Sequence, residues 1–255
     1  MIDIRGLYKS YKNLHVLENL TLEIPAEKIF IIMGRSGVGK SVLLRHIMGL
    51  ETPDRGSIDV NGIRISDLTA REKTSYAKDF GMLFQGSALF DSMTVGQNVA
   101  FYLKEHTKLS SSEIYDRTEA ALHAVGLSGY QDTMPSELSG GQKRRAALAR
   151  LTVYQPKIVL YDEPTTGLDP ITAMQINELI AQTHQQLKAT TVVVTHDVQS
   201  ALFLGDLFAL HHDGAIATVT DRDGFLNSRH PLISEFLQHS LLHPTNKKME
   251  SYVGK

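Results

Sequence analysis

The chain is built around one glycine-rich segment, Gly34-Arg35-Ser36-Gly37-Val38-Gly39-Lys40-Ser41, which matches the pattern G-x-x-x-x-G-K-[ST]. The apolar, β-rich run at residues 28–33 precedes it and predicts a buried strand. The run at residues 42–48 follows it, with apolar residues at helical spacing up to Gly49. A strand, a glycine loop and a helix in this order are the context that the pattern requires.

The composition of this loop suits it to phosphate. Its three glycines allow backbone angles that are closed to other residues, so successive N–H groups can point inward around a polyphosphate. The helix that follows adds the positive end of its dipole. We expect Lys40 to neutralise the β- and γ-phosphates and the Ser41 hydroxyl to ligate Mg²⁺. The alternative is an ordinary glycine turn, which the flanking strand and helix disfavour.

The overall composition restricts the class of protein. The chain has 255 residues, 42% of them hydrophobic, a net charge of -2 and no cysteine. These values predict one or two globular domains without disulfides, and they lack the basic field that nucleic-acid binding needs. We find no apolar run long enough to span a bilayer and no signal-peptide pattern. We therefore expect a cytosolic chain whose membrane role, if any, comes through a partner.

Strand patterns surround the glycine loop. Alternating runs between residues 2 and 24 predict antiparallel strands, and residues 57–60 predict another, closed by the Asn61-Gly62 turn. Buried strands are predicted at 80–84, 158–162 and 191–195, and a hairpin at 207–219. Residues 86–155 differ because 99–103 and 113–125 show helical spacing, the second with a capping-box start at Ser110. The predicted fold is α/β, with an antiparallel β subdomain and an inserted α-helical subdomain.

Polar side chains follow three of the predicted buried strands. Gln85 follows residues 80–84, Asp162 and Glu163 end the run at 158–163, and His196 follows residues 191–195. Carboxyl ends of parallel strands share one edge of a sheet, so we expect these groups to meet near Gly34. Asp162 and Gln85 would hold Mg²⁺, while Glu163 or a neutral His196 would act on the attacking water or γ-phosphate. Each also fits a structural reading, as an acidic turn, a surface glutamine or a structural histidine.

Two further turns lead into predicted helices. Leu138-Ser139-Gly140-Gly141-Gln142 precedes a helix at 143–154, so Ser139 is either a second anion site or a plain N-cap. Asp169 and Pro170 are suited to the first positions of a helix at 171–188. Residues 143–145 are basic, and they form either a solvated face or a contact with a subdomain. The histidines at 211, 212, 239 and 243 are expected on the surface.

The order of these motifs resembles the ATP-binding-cassette (ABC) family over residues 2–236. The resemblance implies a P-loop NTPase (RecA-like) core and roles in binding ATP and Mg²⁺. It places Tyr11, otherwise a half-buried strand tyrosine, against the adenine. It also implies that two chains form a homodimer, in which the Ser139 turn of one closes on ATP held by Lys40 of the other. The nucleotide-binding residues implied are Tyr11, Gly34, Arg35, Ser36, Gly37, Val38, Gly39, Lys40, Ser41, Val42, Ser139, Gly140, Gly141, Gln142 and Asp169; the metal ligands are Ser41, Gln85 and Asp162; the catalytic residues are Glu163, His196 and Gln85.

Finer patterns are similar to the ATPases of Mla-type transporters, which move phospholipids or related lipids. One is Val42, at a position where most relatives carry a hydroxyl residue. The others are the sequence segments at residues 81–85, 88–92 and 167–173. This resemblance implies permease subunits, an MCE-domain partner and a small regulatory subunit, at the cytoplasmic face of the inner membrane. Ala88, Leu89, Phe90 and Met93 would line the permease groove or simply belong to the core. Residues 1–240 would form the ATPase domain, with helices at 86–155, and 241–255 a docking tail or a frayed end.

Other functions remain open at this stage. They are an ABC transporter for an amino acid, a metal ion or another small molecule, a cassette ATPase that acts on nucleic acid or ribosomes, and a nucleotide-binding regulator that does not hydrolyse. The net charge disfavours nucleic acid, and Glu163 and His196 disfavour the regulator.

Overall fold

The computed structural model describes residues 1–35, 37 and 39–241, with side chains up to residue 238. Its strands are β1 (Ile2–Tyr11), β2 (Leu14–Ile24), β3 (Ile29–Met33), β4 (Arg55–Val60), β5 (Ile63–Arg64), β6 (Phe80–Leu83), β7 (Ile158–Asp162), β8 (Thr190–Thr195), β9 (Leu207–His212) and β10 (Ala215–Asp221). Its α-helices are α1 (Lys40–Ile47), α2 (Ala70–Ala77), α3 (Val95–His106), α4 (Ser111–Ala124), α5 (Gly140–Thr152), α6 (Pro170–Leu187), α7 (Val198–Leu204), α8 (Arg222–Leu226) and α9 (Pro231–Leu241).

The central sheet has the order β10-β9-β3-β8-β7-β6. Strand β3 lies between β8 and β9 and is parallel to both, and β7 continues the parallel run to β6. Every residue of β3 is buried because both faces of the strand are covered. Ile31 packs with the helices on one face, while Phe30 and Ile32 pack with α1 and the second sheet on the other. The carboxyl ends of β3, β6, β7 and β8 therefore lie at one edge.

The second sheet is antiparallel, with the order β2-β1-β4-β5. Its apolar face packs against α1 and β3, so the two sheets share one core. Strand β2 also contacts the glycine loop: a Cβ added to Gly39 would lie 2.6 Å from Val16 Cγ1. Gly39 has φ +101°, an angle that side chains other than hydrogen strongly disfavour. Glycine is required here by both the backbone angle and the space.

Helices α3, α4 and α5 form one packed group. Each begins with a capping box, at Thr94, Ser110 and Ser139 respectively, which confirms the helix start predicted at Ser110. Helix α5 begins at Gly140 and ends at Thr152, earlier at both ends than predicted, since the capping box already satisfies the first backbone donors. The α/β fold with an antiparallel sheet and inserted helices is confirmed. The boundaries of the helical subdomain at 86 and 155 stay predictions.

The structure differs from the sequence predictions in several places. Helices α2, α7 and α8 were not predicted, because α2 buries only Tyr76 and the other two have seven and five residues. The prediction that His211 lies on the surface is wrong. Its side chain is 1% exposed, because β9 lies inside the sheet between β3 and β10. The predicted tail beyond Leu241 and His243 lies outside the described residues. Among the helices within them, none has the length and apolar character needed to cross a membrane.

Candidate active site

A cavity of about 410 Å³ lies where the strand ends converge. The glycine loop and the start of α1 form its base, and residues from the ends of β6, β7 and β8 form one wall. The edge between β1 and β2 forms the other wall. The lining residues are Tyr11, Leu14, Val16, Gly37, Gly39, Lys40, Ser41, Val42, Gln85, Glu163, Thr166 and His196. Nine of these twelve lining residues were named as site residues by the sequence analysis; Leu14, Val16 and Thr166 were not.

Lys40 is the central cation of this cavity, and its side chain is only 5% exposed. Its Nζ donates to the carbonyl oxygens of Gly34 at 2.8 Å and Arg35 at 2.9 Å. The same nitrogen lies 3.4 Å from Glu163 Oε1. The ammonium therefore holds the loop carbonyls and a carboxylate. A phosphate group entering the cavity would compete with them for its protons.

Ser41 and Asp162 form the oxygen-rich part of the site. Ser41 Oγ donates to Asp162 Oδ1 at 2.8 Å. Burial raises the pKa of Asp162 and outweighs the opposing hydrogen bond from Ser41. With the Gln85 amide, these residues offer the hydroxyl, carboxylate and amide oxygens that Mg²⁺ accepts. Among the described residues there is no group of three or more His, Asp or Glu side chains that could hold a metal ion.

Glu163 is held by Thr166, Thr195, His196 and Lys40. Its Oε2 accepts hydrogen bonds from Thr166 Oγ1 at 3.0 Å and His196 Nδ1 at 2.8 Å. Burial alone would raise the pKa of Glu163, but the hydrogen bond from His196 and the charge of Lys40 lower it. The side chain is therefore an ionised carboxylate at the cavity wall. Such a group can accept a proton from an attacking water or orient it.

Two details of Glu163 and His196 differ from the predictions. The sequence argument let Glu163 turn away from Asp162 by strand alternation. Instead β7 ends at Asp162 and Glu163 has φ +48°, so a left-handed residue directs the side chain. For His196, a carboxylate only accepts, so Nδ1 carries the proton. In the neutral ring Nε2 is then an acceptor, and donation from it to a phosphate requires the imidazolium.

Tyr11 lies at the end of the cavity opposite Glu163, and its hydroxyl is held by residues that do not line the cavity. Its hydroxyl donates to Glu51, which also accepts from Arg45 Nε at 2.5 Å. Lys9 Nζ lies 5.4 Å from the centre of the Tyr11 ring, in cation–π range, and does not border the cavity. Of these residues only Tyr11 was singled out by sequence. Glu51 is 40 residues away from it, and no local pattern connects them.

The second predicted anion turn does not reach this cavity within one chain. Ser139, Gly140, Gly141 and Gln142 form the start of α5, and Ser139 Oγ accepts from Gln142 N at 3.3 Å. Asp169 caps α6 and accepts from the backbone of Ile171 and Thr172. Neither turn borders the cavity. Of the glycine-loop residues predicted to bind nucleotide, Arg35 does not line the cavity and forms an ion pair with Glu235 on α9. Ser36 and Val38 lie outside the described residues.

Arginines of α5 hold the loop that carries Gln85. Arg144 Nη1 donates to the carbonyl of Phe84 at 2.8 Å. Arg150 donates to the carbonyls of Ala88 at 2.7 Å and Ser87 at 3.2 Å. Ser87 and Ala88 have φ +63° and +47°, so the loop is held in a disfavoured conformation. Of the two readings left open for the basic residues at 143–145, a contact with other parts of the chain is confirmed for Arg144.

Comparison with known proteins identifies the family. Residues 17–166 match the family model described as ABC transporter. The chain is 39% identical over 249 residues to the probable ribonucleotide transport ATP-binding protein mkl of Mycobacterium leprae, covering 98% of this chain and 72% of that one. It is 38% identical over 237 residues to the intermembrane phospholipid transport system ATP-binding protein MlaF of Escherichia coli, covering 93% and 88%.

The fold comparison gives the same class. The dimeric ABC transporter cassette MJ0796, which has also been solved in a post-hydrolysis state with ADP and Pi, superimposes with a TM-score of 0.81 at 32% identity, over 87% of this chain and 99% of that one. These matches define an ATP-binding cassette. The chain belongs to the ABC transporter family, and it is an ATP-binding, ATP-hydrolysing subunit of that family.

Proposed function

We propose that this ATPase energises a membrane transporter of phospholipids or related lipids. The main support for this proposal is the near full-length similarity to the relative named for intermembrane phospholipid transport. The patterns at Val42, 81–85, 88–92 and 167–173 support the same cargo. In this proposal two copies of the chain work with permease subunits and an MCE-domain protein at the cytoplasmic face of the inner membrane, and a small regulatory subunit completes the complex.

The hydrolytic step follows from the geometry of the cavity. Lys40 and the N–H groups of the loop bind the β- and γ-phosphates, and Tyr11 stacks on the adenine. Ser41, Asp162 and Gln85 would hold Mg²⁺, which when bound neutralises phosphate charge. Glu163 then receives the proton of the attacking water. As the imidazolium, His196 can donate Nε2–H to the terminal phosphate while Nδ1–H keeps Glu163 in place.

A second copy would complete the site. The Ser139 turn carries a serine hydroxyl and helix N–H groups, yet it lies outside the cavity of its own chain. Helix N-termini stabilise anions, so this turn is suited to the γ-phosphate bound by the other subunit. Closure of the dimer would then be favoured by ATP and lost after hydrolysis, because only the triphosphate interacts with both subunits.

The permease would dock in an aromatic groove of about 400 Å³ at the junction of the sheet and the helices. Phe84 and Phe90 are 37% and 43% exposed there, large fractions for such apolar side chains. Arg150, which holds the loop carbonyls of Ser87 and Ala88, forms part of the same groove. An amphipathic helix from a permease fits a groove of this kind. The residues that line it are Met48, Phe80, Met82, Phe84, Ala88, Phe90, Phe101, Tyr102, Arg150, Leu151 and Tyr154.

Affinity purification of the tagged chain from membranes of its own cell tests the proposal. We expect a polytopic permease, an MCE-domain protein and phospholipid to co-purify. Phe90→Glu should lose these partners, while Tyr115→Glu, at a 60% exposed aromatic on α4, should keep them. Retention of the permease by Phe90→Glu would contradict the groove as its docking site.

The second candidate cargo is a ribonucleotide, which is favoured by the similarity to the mycobacterial relative named as a probable ribonucleotide transport protein. The purified complex, reconstituted in vesicles, separates the two. Phospholipid cargo predicts ATP turnover that depends on lipid composition and on the MCE-domain protein. Turnover stimulated by ribonucleotides instead, with a soluble binding protein in place of the MCE-domain protein, would overturn the lipid proposal.

A further inference from the structure

A buried polar cluster lies next to His196 but outside the cavity. We call Thr165, Asn177, Asp197 and Ser200 the Ser200 cluster. Thr165, Asn177 and Ser200 are 6%, 2% and 2% exposed. They come from three separate parts of the fold, namely the loop after β7, helix α6 and helix α7. Their proximity therefore depends on the tertiary structure and not on any local motif.

Ser200 is the centre of this cluster. Its Oγ lies 2.5 Å from Asp197 Oδ2, 2.8 Å from Asn177 Nδ2 and 3.3 Å from Thr165 Oγ1. A hydroxyl has one proton and two acceptor positions. The carboxylate of Asp197 only accepts, so the Ser200 proton goes there, and Ser200 accepts from Asn177 and Thr165. Every hydrogen-bonding position of the Ser200 hydroxyl is used.

The cluster connects the chain just after Glu163 with the chain just after His196. Thr165 is two residues beyond Glu163, and Asp197 is the neighbour of His196. Asp197 is also fixed locally: its Oδ1 accepts from Gln199 N and its backbone N donates to Thr195 Oγ1, both at 3.0 Å. Movement of the Thr165 loop relative to α7 would therefore change the separation of Glu163 and His196.

The cluster is not arranged for stability alone. Asn177 Oδ1 is buried and has no hydrogen-bond partner among the described residues. A buried carbonyl without a partner destabilises the fold, and an apolar side chain of the same shape avoids this penalty. Asn177 nevertheless donates to Ser200 through its amide nitrogen. A residue that costs stability while supporting a neighbour of the site indicates a functional constraint.

We propose that Ser200 is a positioning residue for ATP hydrolysis. It fixes Asp197 against the loop after Glu163 and so keeps His196 Nδ1 within hydrogen-bond distance of Glu163. Neither Ser200 nor Thr165 borders the cavity, so both act through other residues. The inference rests on the proposed function, in which Glu163 and His196 act at the terminal phosphate.

The first test compares Ser200→Ala and Thr165→Val with the control Thr118→Val in the full-length chain. Thr118 is 5% exposed on α4, outside the cluster, and threonine and valine have the same shape. We expect the first two variants to lower kcat about fivefold and to leave the KM for ATP within about twofold, as loss of an interaction made only in the transition state does. Thr118→Val should retain both parameters. An unchanged kcat in Ser200→Ala would overturn the inference.

The second test is a double-mutant cycle with His196→Ala, measured in single turnovers with the chain in excess over ATP. If Ser200 acts through His196, Ser200→Ala should change the residual rate of His196→Ala by less than about twofold. A further fivefold fall would show a purely structural effect and overturn the inference. Wild-type turnover in His196→Ala would instead contradict the proposed role of His196, so the two failures are distinguishable.

Discussion

Replacement of Lys40 by methionine removes the central cation of the cavity and keeps most of the buried alkyl chain. Lys40 Nζ lies 3.4 Å from Glu163 Oε1. Unit charges at this separation attract by about 5 kcal/mol at an effective dielectric constant of about 20. Desolvation of both groups offsets more than half of this attraction, which leaves a coupling free energy of about 2 kcal/mol. We expect Lys40→Met to lower the free energy of unfolding by about 3 kcal/mol, since Glu163 is left buried without its cation.

Urea unfolding of four proteins measures this coupling: the wild type, Lys40→Met, Glu163→Gln and the double variant. The double variant should be more stable than Lys40→Met, because the uncompensated carboxylate is gone. A coupling free energy near zero would refute the view that the Lys40 ammonium stabilises the buried Glu163 carboxylate. In the same proteins, equilibrium binding of a fluorescent ATP analogue should weaken at least about tenfold with Lys40→Met. Wild-type affinity in that variant would contradict the assignment of the phosphate site.

Three further changes address other parts of the cavity. Glu163→Gln should bind ATP and slow phosphate release at least about 100-fold; unchanged turnover would show that another group positions the water. Glu51→Gln weakens the hydrogen bond that holds Tyr11, so the KM for ATP should rise about threefold at constant kcat, and an unaltered KM in steady-state kinetics would exclude that role. Ser139→Arg should abolish hydrolysis while the monomer keeps its ATP affinity in equilibrium binding. Equal loss of binding would contradict completion of the site by a second copy.

The ionisation of Glu163 adds a pH dependence with a defined sign. Its pKa is lowered in the folded chain, so its carboxylate contributes stability above the unfolded pKa of about 4.3. That contribution is lost as the pH falls through the lowered folded value. Urea unfolding between pH 6 and 3 should therefore show a smaller loss of stability in Glu163→Gln than in the wild type. Parallel pH curves would contradict a stabilising carboxylate.

Much of the fold could be predicted from short-range patterns. The run at 28–33, the glycine loop and the helix after it were recognisable because a strand buried on both faces is apolar throughout. The predicted hairpin over 207–219 was likewise confirmed. The burial of His211 was not predictable, because it depends on which strands flank β9 in the sheet. Helix α2 is mostly polar, so hydrophobic periodicity gave no signal.

In the candidate site, too, some features follow from local sequence patterns and others depend on the tertiary structure. Gln85, Glu163 and His196 were expected at one edge from the parallel arrangement alone, and the structure brings them to one cavity. Their catalytic roles stay predictions. Glu51 and Ser200 contact residues that are distant in sequence, and a carboxylate or hydroxyl at such positions has no recognisable spacing. The left-handed backbone at Glu163 also depends on its surroundings and not on its residue type.

Helix α5 connects two regions that the proposed transport mechanism uses, the Ser139 turn and the loop beside the aromatic groove. Its first residues form the turn that would face the partner's nucleotide, and Arg150 near its last turn grips the loop beside the aromatic groove. Thirteen residues of helix are about 20 Å long. A pivot of about 10° at one end would displace the other by about 3.5 Å, given that length. Such a displacement would pass along the helix directly, without rearrangements of intervening side chains.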